Sequence, residues 1–115
     1  MRLDVEFDFA AAHRLPRYDG PCFRMHGHNY KLVVGVEGVP DAHSGMILDF
    51  GDIQRVVQRA VLDRCDHQTL NDFIENPTAE VVVSWIWREL KPHLPGLVEL
   101  RLNETPIYSV TYRGS

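Results

Sequence analysis

Residues 3–13 read Leu3-Asp4-Val5-Glu6-Phe7-Asp8-Phe9-Ala10-Ala11-Ala12-His13. From Leu3 to Phe9 the odd positions are apolar, and Asp4, Glu6 and Asp8 between them are acidic. Side chains alternate across a strand, so this period of two predicts a β-strand with one buried and one wet face. His13 falls near its end. A loop with Pro16, Gly20 and Pro21 follows, marked by residues that break regular structure. From about His28 a second alternating run sets Tyr30, Leu32, Val34 and Val36 against Lys31, Gly35 and Glu37.

After the turn-rich stretch Gly38 to Gly45 the period changes. Ile53, Val56, Val57, Ala60 and Val61 follow the stripe of an amphipathic helix, predicted to end near Cys65. Asn76-Pro77-Thr78 supplies the start signal of a second helix running through Trp85, Ile86 and Leu90. Thr78 is its expected N-cap, Glu80 sits in its first turn, and Pro92 and Pro95 close it. Val98, Leu100 and Leu102 alternate again, Pro106 interrupts, and Tyr108, Val110 and Tyr112 alternate to the end. The order β-β-α-α-β-β lacks a helical crossover between every pair of strands. It predicts an α+β fold with two helices on one face of a four-stranded antiparallel sheet. Two open edges remain, which makes association through them an expectation.

A chain of 115 residues, 44% hydrophobic and 24% charged, suits one compact domain over residues 1–115. Its net charge of −4 argues against nucleic-acid binding, which calls for a basic patch. No stretch approaches the roughly 20 apolar residues that cross a bilayer. With no secretory signal at the start, Cys22 and Cys65 read as free thiols of a cytoplasmic protein.

The residues that carry chemistry begin with Cys22, His26 and His28 in a C-x3-H-x-H spacing, with His13 on the preceding strand. Residues i and i+2 of a strand share a face, so His26 and His28 can both turn inward and His13 can complete a triad. Three imidazoles satisfy a catalytic zinc and leave its fourth position open. Cys22 reads as a fourth ligand or as a base or nucleophile; its place on a Gly/Pro loop disfavours the third reading, an inert small apolar residue. In Asp66-His67 the aspartate can orient and stabilise a protonated ring for proton transfer. Alternation places Glu104 inward, where a carboxylate needs a partner; two adjacent N–H donors on a heterocycle would supply one. Arg14, Arg17, Arg24 and Lys31 are the basic residues near the histidines, available to a phosphate or simply to solvent. His43 and His93 read as loop residues, Cys65 as packed, and one of Trp85 and Trp87 as core.

Taken in order, Phe9-Ala10-Ala11-Ala12-His13-Arg14-Leu15, Cys22 with His26-Gly27-His28-Asn29-Tyr30, Gly45-Met46 with Asp49-Phe50, Asp66-His67 with Leu70-Asn71, Asn76-Pro77-Thr78-Ala79-Glu80, and Asn103-Glu104-Thr105 resemble the 6-pyruvoyl-tetrahydropterin synthase family, including its 6-carboxy-tetrahydropterin synthases of queuosine biosynthesis. The resemblance implies a tunnelling fold (T-fold) assembled as a homohexamer of two trimers, with active sites at subunit interfaces. It implies Zn2+ on His13, His26 and His28, a catalytic thiol at Cys22, a partner dyad at Asp66 and His67, and a pterin-anchoring carboxylate at Glu104. Thr78 and Glu80 would help line the pterin pocket. The substrate implied is 7,8-dihydroneopterin triphosphate. Carbon-carbon cleavage to 6-carboxy-tetrahydropterin and acetaldehyde is the favoured outcome, suggested by the short loops and lean length; internal redox to 6-pyruvoyl-tetrahydropterin is the alternative. A non-catalytic zinc- or pterin-binding module is the reading from another class. Val81 and Cys65 depart from the family pattern, which usually has Asn and Leu at these positions.

Overall fold

The computed structural model describes residues 1–114. β1 (Arg2–His13) and β2 (His26–Glu37) form a long antiparallel hairpin in one register, Arg2 opposite Glu37 and His13 opposite His26. The wet face expected of β1 is charged throughout: Arg2 bridges Asp4 and Glu99 at 2.9 and 2.8 Å, and Lys31 lies 3.5 Å from Glu6. On the other face Phe9, Ala11, Tyr30, Leu32 and Val34 are buried under the helices.

The first helix starts at α1 (Phe50–Val57), where the Asp49 carboxylate accepts from the Gly51 N–H at 2.7 Å. It runs through a π turn (Gln58–Leu62) into α2 (Asp63–Cys65). Ile53, Val57, Val61 and Cys65 are all fully buried, a repeat of four. A regular helix of 3.6 residues per turn would rotate such a repeat off the core; the wider π turn compensates. Val56 and Ala60, also in the expected stripe, are half-buried against the same core. Thr78 caps α3 (Ala79–Leu90), its hydroxyl accepting from the Val81 N–H at 3.1 Å. Trp85 belongs to the core, whereas Trp87 is half-buried beside Tyr112.

β4 (Leu97–Thr105) and β5 (Tyr108–Tyr112) complete the sheet in the order β3-β1-β2-β4-β5. The four expected strands are present and mutually antiparallel. The fifth, β3 (Gln68–Thr69), pairs parallel with Ala11 and Ala12 of β1. Two residues are too few to display a period, so the sequence carries no signal for it. One burial expectation is corrected: Leu97, not Val98, is buried at the start of β4. The ladder pairs Gly35 with Glu99 and Val36 with Leu97, and that irregularity displaces the alternation.

Gly96 accepts the Glu37 N–H at 2.9 Å, and a Cβ placed on it would stand 2.6 Å from the Glu37 carbonyl oxygen. Neither backbone can retreat without breaking that bond. Gly96→Ala is expected to destabilise the protein by about 1–3 kcal/mol, an overpacking cost, read as a lower urea midpoint with unchanged m-value.

Candidate active site

The pairing of β1 with β2 carries all three predicted imidazoles to the helix-covered face, with His13 opposite His26 and Ala11 opposite His28. Their ring centroids lie 4.6, 5.0 and 4.9 Å apart, and one nitrogen from each falls within a common 4.8 Å. His13 Nδ1 is 2.7 Å from the Pro77 carbonyl and His26 Nδ1 is 2.7 Å from the Arg24 carbonyl. A carbonyl can only accept, so each Nδ1 carries the hydrogen and each Nε2 keeps a free lone pair. Buried His13 Nε2 and His28 Nε2 have no hydrogen-bond partner. Burial holds the His13 and His28 rings below the ordinary imidazole value of 6.5, outweighing the nearby Glu104 charge. Neutral rings with orphaned nitrogens converging on one point fit a metal ion, which takes up such lone pairs. These three histidines could therefore hold a metal.

The Cys22 thiol is free and half-buried, and it lies outside that donor set. It sits in a 3₁₀ turn (Pro21–Phe23) whose Cys22 carbonyl accepts the Leu15 N–H at 2.8 Å. A fully closed four-ligand centre therefore has no geometric support among the described residues. Cys65, by contrast, is fully buried and its thiol is pushed up to about 12 by burial, consistent with a packing role.

Glu104 is half-buried at the end of β4, facing a cavity rather than the core. It lines a space of about 460 Å³ with Leu15, Thr78, Glu80 and Tyr108, and its Oε1 is 3.5 Å from His28 Nε2. Predicted pocket residues Thr78, Glu80 and Glu104 are thus brought together, next to the imidazoles. The volume suits a small heterocycle.

Asp66 and His67 stand elsewhere. The Asp66 carboxylate accepts the Ala10 N–H at 2.9 Å and lies 3.1 Å from His67 Nδ1. Chiefly the Ala10 N–H, assisted by His67, holds the Asp66 carboxyl below its usual range. His67 adopts φ 61°, its N–H donates to the Ala10 carbonyl at 2.6 Å, and its side chain is 82% exposed. A non-glycine residue in the left-handed region costs about 1–2 kcal/mol; here the cost aims the ring away from its own chain's core. It lines a depression of about 380 Å³ with Ala10, Ala12, Gly27 and His28, distinct from the cavity of Glu104.

Three of the basic residues near the histidines have partners of their own. Arg14 lies over the Phe23 ring at 5.4 Å, Arg17 pairs with Glu75 at 3.0 Å, and Lys31 pairs with Glu6. His43 and His93 are exposed, as expected. Absent from the expectations was the role of Asn71, whose carboxamide bonds the backbone of Arg14 on both sides, at 2.9 and 3.0 Å. The Pro77 carbonyl was likewise unanticipated. Both depend on a loop path that no local pattern encodes.

Fold and site together define an α+β protein with a three-histidine, metal-competent centre beside a carboxylate-bearing cavity. The chain belongs to the 6-pyruvoyl tetrahydropterin synthase family, whose profile matches residues 2–115. It is 34% identical to the 6-carboxy-5,6,7,8-tetrahydropterin synthase of Synechocystis over 93% of this chain and 88% of that relative. It is 35% identical to the dihydroneopterin monophosphate aldolase of Pyrococcus furiosus over 84% of this chain and 79% of that protein. The 6-pyruvoyl tetrahydropterin synthase structure of Caenorhabditis elegans superposes with a TM-score of 0.91 at 29% identity, covering 100% of this chain and 96% of that one. No helix is long and apolar enough to cross a membrane among the described residues.

The lowered proton affinity of His13 and His28 makes stability depend on pH. Below about 6.5 an unfolded chain protonates these rings while the folded chain resists, so folding loses free energy as pH falls. Metal-free protein is expected to show a urea midpoint that drops between pH 7 and pH 5, with a shallower drop for His13→Asn.

Proposed function

We propose that this chain is a zinc-dependent lyase acting on 7,8-dihydroneopterin triphosphate with consumption of one water, giving 6-carboxy-5,6,7,8-tetrahydropterin with release of acetaldehyde and triphosphate, a step of queuosine biosynthesis in the cytoplasm. The observation that carries this reading is the convergence of three imidazoles, two with orphaned nitrogens, beside the cavity that Glu104 lines. Family membership and the Synechocystis relative support the pterin chemistry.

His13 and His26 would hold the zinc through the nitrogens their backbone bonds leave free, and His28 through a third ring nitrogen within reach of these two. When bound, zinc supplies Lewis-acid stabilisation of negative charge that develops on oxygen. Glu104 accepts two adjacent N–H donors of the pterin edge and so orients the substrate side chain toward the histidines. Thr78 and Glu80 bound the same cavity. Cys22 removes a proton from that side chain as general base. His67, oriented by Asp66, donates or accepts the complementary proton.

His67 and Glu104 line different cavities of one chain, and β3 and β5 are the two sheet edges. In this reading a neighbouring copy joined edge to edge would bring its His67 to the Glu104 cavity. This supports sites shared between subunits of a homohexamer.

Product identification tests the reaction. Zinc-loaded protein incubated with dihydroneopterin triphosphate is expected to yield acetaldehyde and a carboxylated pterin by mass spectrometry. The C. elegans likeness favours 6-pyruvoyl-tetrahydropterin as the second reading, and that product without acetaldehyde would replace the first. A non-catalytic module would turn over nothing.

Shared sites have their own test. Cys22→Ala is expected to retain metal while activity falls about 10²- to 10⁴-fold, and His67→Asn should be similarly impaired. Co-expressed hybrids of the two variants regain activity if the residues act across subunits, because some sites then receive both intact groups. Hybrids no better than their parents would place both residues within one chain.

A further inference from the structure

The short segment between the first helix and α3 is fastened to the end of β1 residue by residue. Asp66 and His67 bond Ala10. Gln68 and Thr69 pair with Ala11 and Ala12. Asn71 bonds Arg14, and the Pro77 carbonyl accepts from His13. Two of these contacts flank one candidate metal ligand: Pro77 fixes the His13 ring, and Asn71 fixes the residue that follows it.

Arg14 stands just past both ladders that hold β1. Pairing with β2 ends at His13 opposite His26, and pairing with β3 ends at Ala12 opposite Thr69. A half-buried peptide there would lack partners for its N–H and C=O, at a cost comparable to a lost hydrogen bond. The Asn71 side chain supplies both. Its Oδ1 accepts the Arg14 N–H at 2.9 Å, and its Nδ2 donates to the Arg14 carbonyl at 3.0 Å. A carboxamide carries one acceptor and a donor in a plane, like a peptide group, so the side chain extends the ladder by one residue. Next in the chain, Leu15 donates to the Cys22 carbonyl at 2.8 Å. The position of Arg14 therefore bears on His13 behind it and on the Cys22 turn ahead of it.

We infer that Asn71 is a positioning residue for the metal site, holding the His13 backbone and the base of the Cys22 loop through a two-bond clamp on Arg14. The inference rests on the three-histidine metal reading above. Partners that orient a ligand without touching the metal change affinity by about 10- to 100-fold when removed, and a loss in that range is the expectation for Asn71→Leu.

The experiment compares wild type, Asn71→Leu, Asn71→Asp and His13→Ala as full chains. Zn2+ affinity is measured by competition with a chromogenic chelator, Co2+ uptake by visible absorption, and folding by circular dichroism at the same pH. Asn71→Asp keeps the acceptor for the Arg14 N–H and loses the donor to its carbonyl, so its affinity should fall between wild type and Asn71→Leu. Should Asn71→Leu fail to fold, the folded Asn71→Asp decides, with an altered Co2+ spectrum and weaker Zn2+ binding expected. Wild-type affinity and spectrum in the folded Asn71 variants, with only a lowered melting temperature, would overturn the inference and leave the metal reading standing. Failure of wild type to bind more metal than His13→Ala would overturn both.

Discussion

Everything else in this molecule depends on the register of β1 against β2. With His13 opposite His26 and Phe9 opposite Tyr30, one face of the hairpin collects the aromatic and aliphatic core and the three imidazoles together. A slip of one residue would send every side chain of a strand to the other face. The core and the candidate metal site are therefore specified by the same constraint. Phe9 stacks on Tyr30 with centroids 4.9 Å apart, directly beneath the histidines. Hydrophobic pairing deeper in the hairpin thus pays for polar side chains being brought together at its end.

Positioning of the second group of residues depends on a different device. Ile53, Val57, Val61 and Cys65 point into the core at intervals of four because a π turn widens the helix between them. The chain consequently leaves the helix at Cys65 directed at β1, and the next two residues bond Ala10. Cysteine in place of the usual leucine keeps an apolar, fully buried side chain at this exit. Its thiol remains protonated at neutral pH, which suits a packing role. Val81 is similarly benign in its surroundings: its N–H still completes the Thr78 cap, and the side chain packs against the core.

Patterns with a period were legible in the sequence. Alternation from Leu3 to Phe9 and from Tyr30 to Val36 locates the hairpin, the i, i+2 spacing of His26 and His28 puts two imidazoles on one face, and the Thr78 cap marks the second helix. Contacts made by irregular backbone were not. β3 is too short to have a period, the irregular pairing near Gly35 shifts burial from Val98 to Leu97, and the π turn changes the helical repeat without a sequence marker. The same distinction divides the site. The imidazoles were readable because strand geometry aligns them, whereas the Pro77 carbonyl reaches His13, and the Asn71 carboxamide reaches Arg14, by a path that no local pattern marks. Resemblance supplied roles for Asp66, His67 and Glu104 that spacing alone left open.

The hydrogen-bond arrangement around the histidines couples stability to metal capture. Each of two backbone carbonyls takes the Nδ1 hydrogen of a ring, which fixes the tautomer in advance and reduces the reorganisation that binding would otherwise require. The first of these bonds leaves His13 Nε2 as an acceptor, and both it and His28 Nε2 are buried without a hydrogen-bond partner, a buried orphan of this kind costing about 1–3 kcal/mol. Water cannot serve these nitrogens as readily as it serves an exposed ring, and protonation is opposed by burial. One cation placed among them would relieve their shared deficit, and the free energy of that relief would add to folding stability. A site preorganised for a ligand is therefore a weak point of the metal-free chain, which explains why the strand end bearing His13 is fastened so closely by the segment running from Asp66 to Pro77.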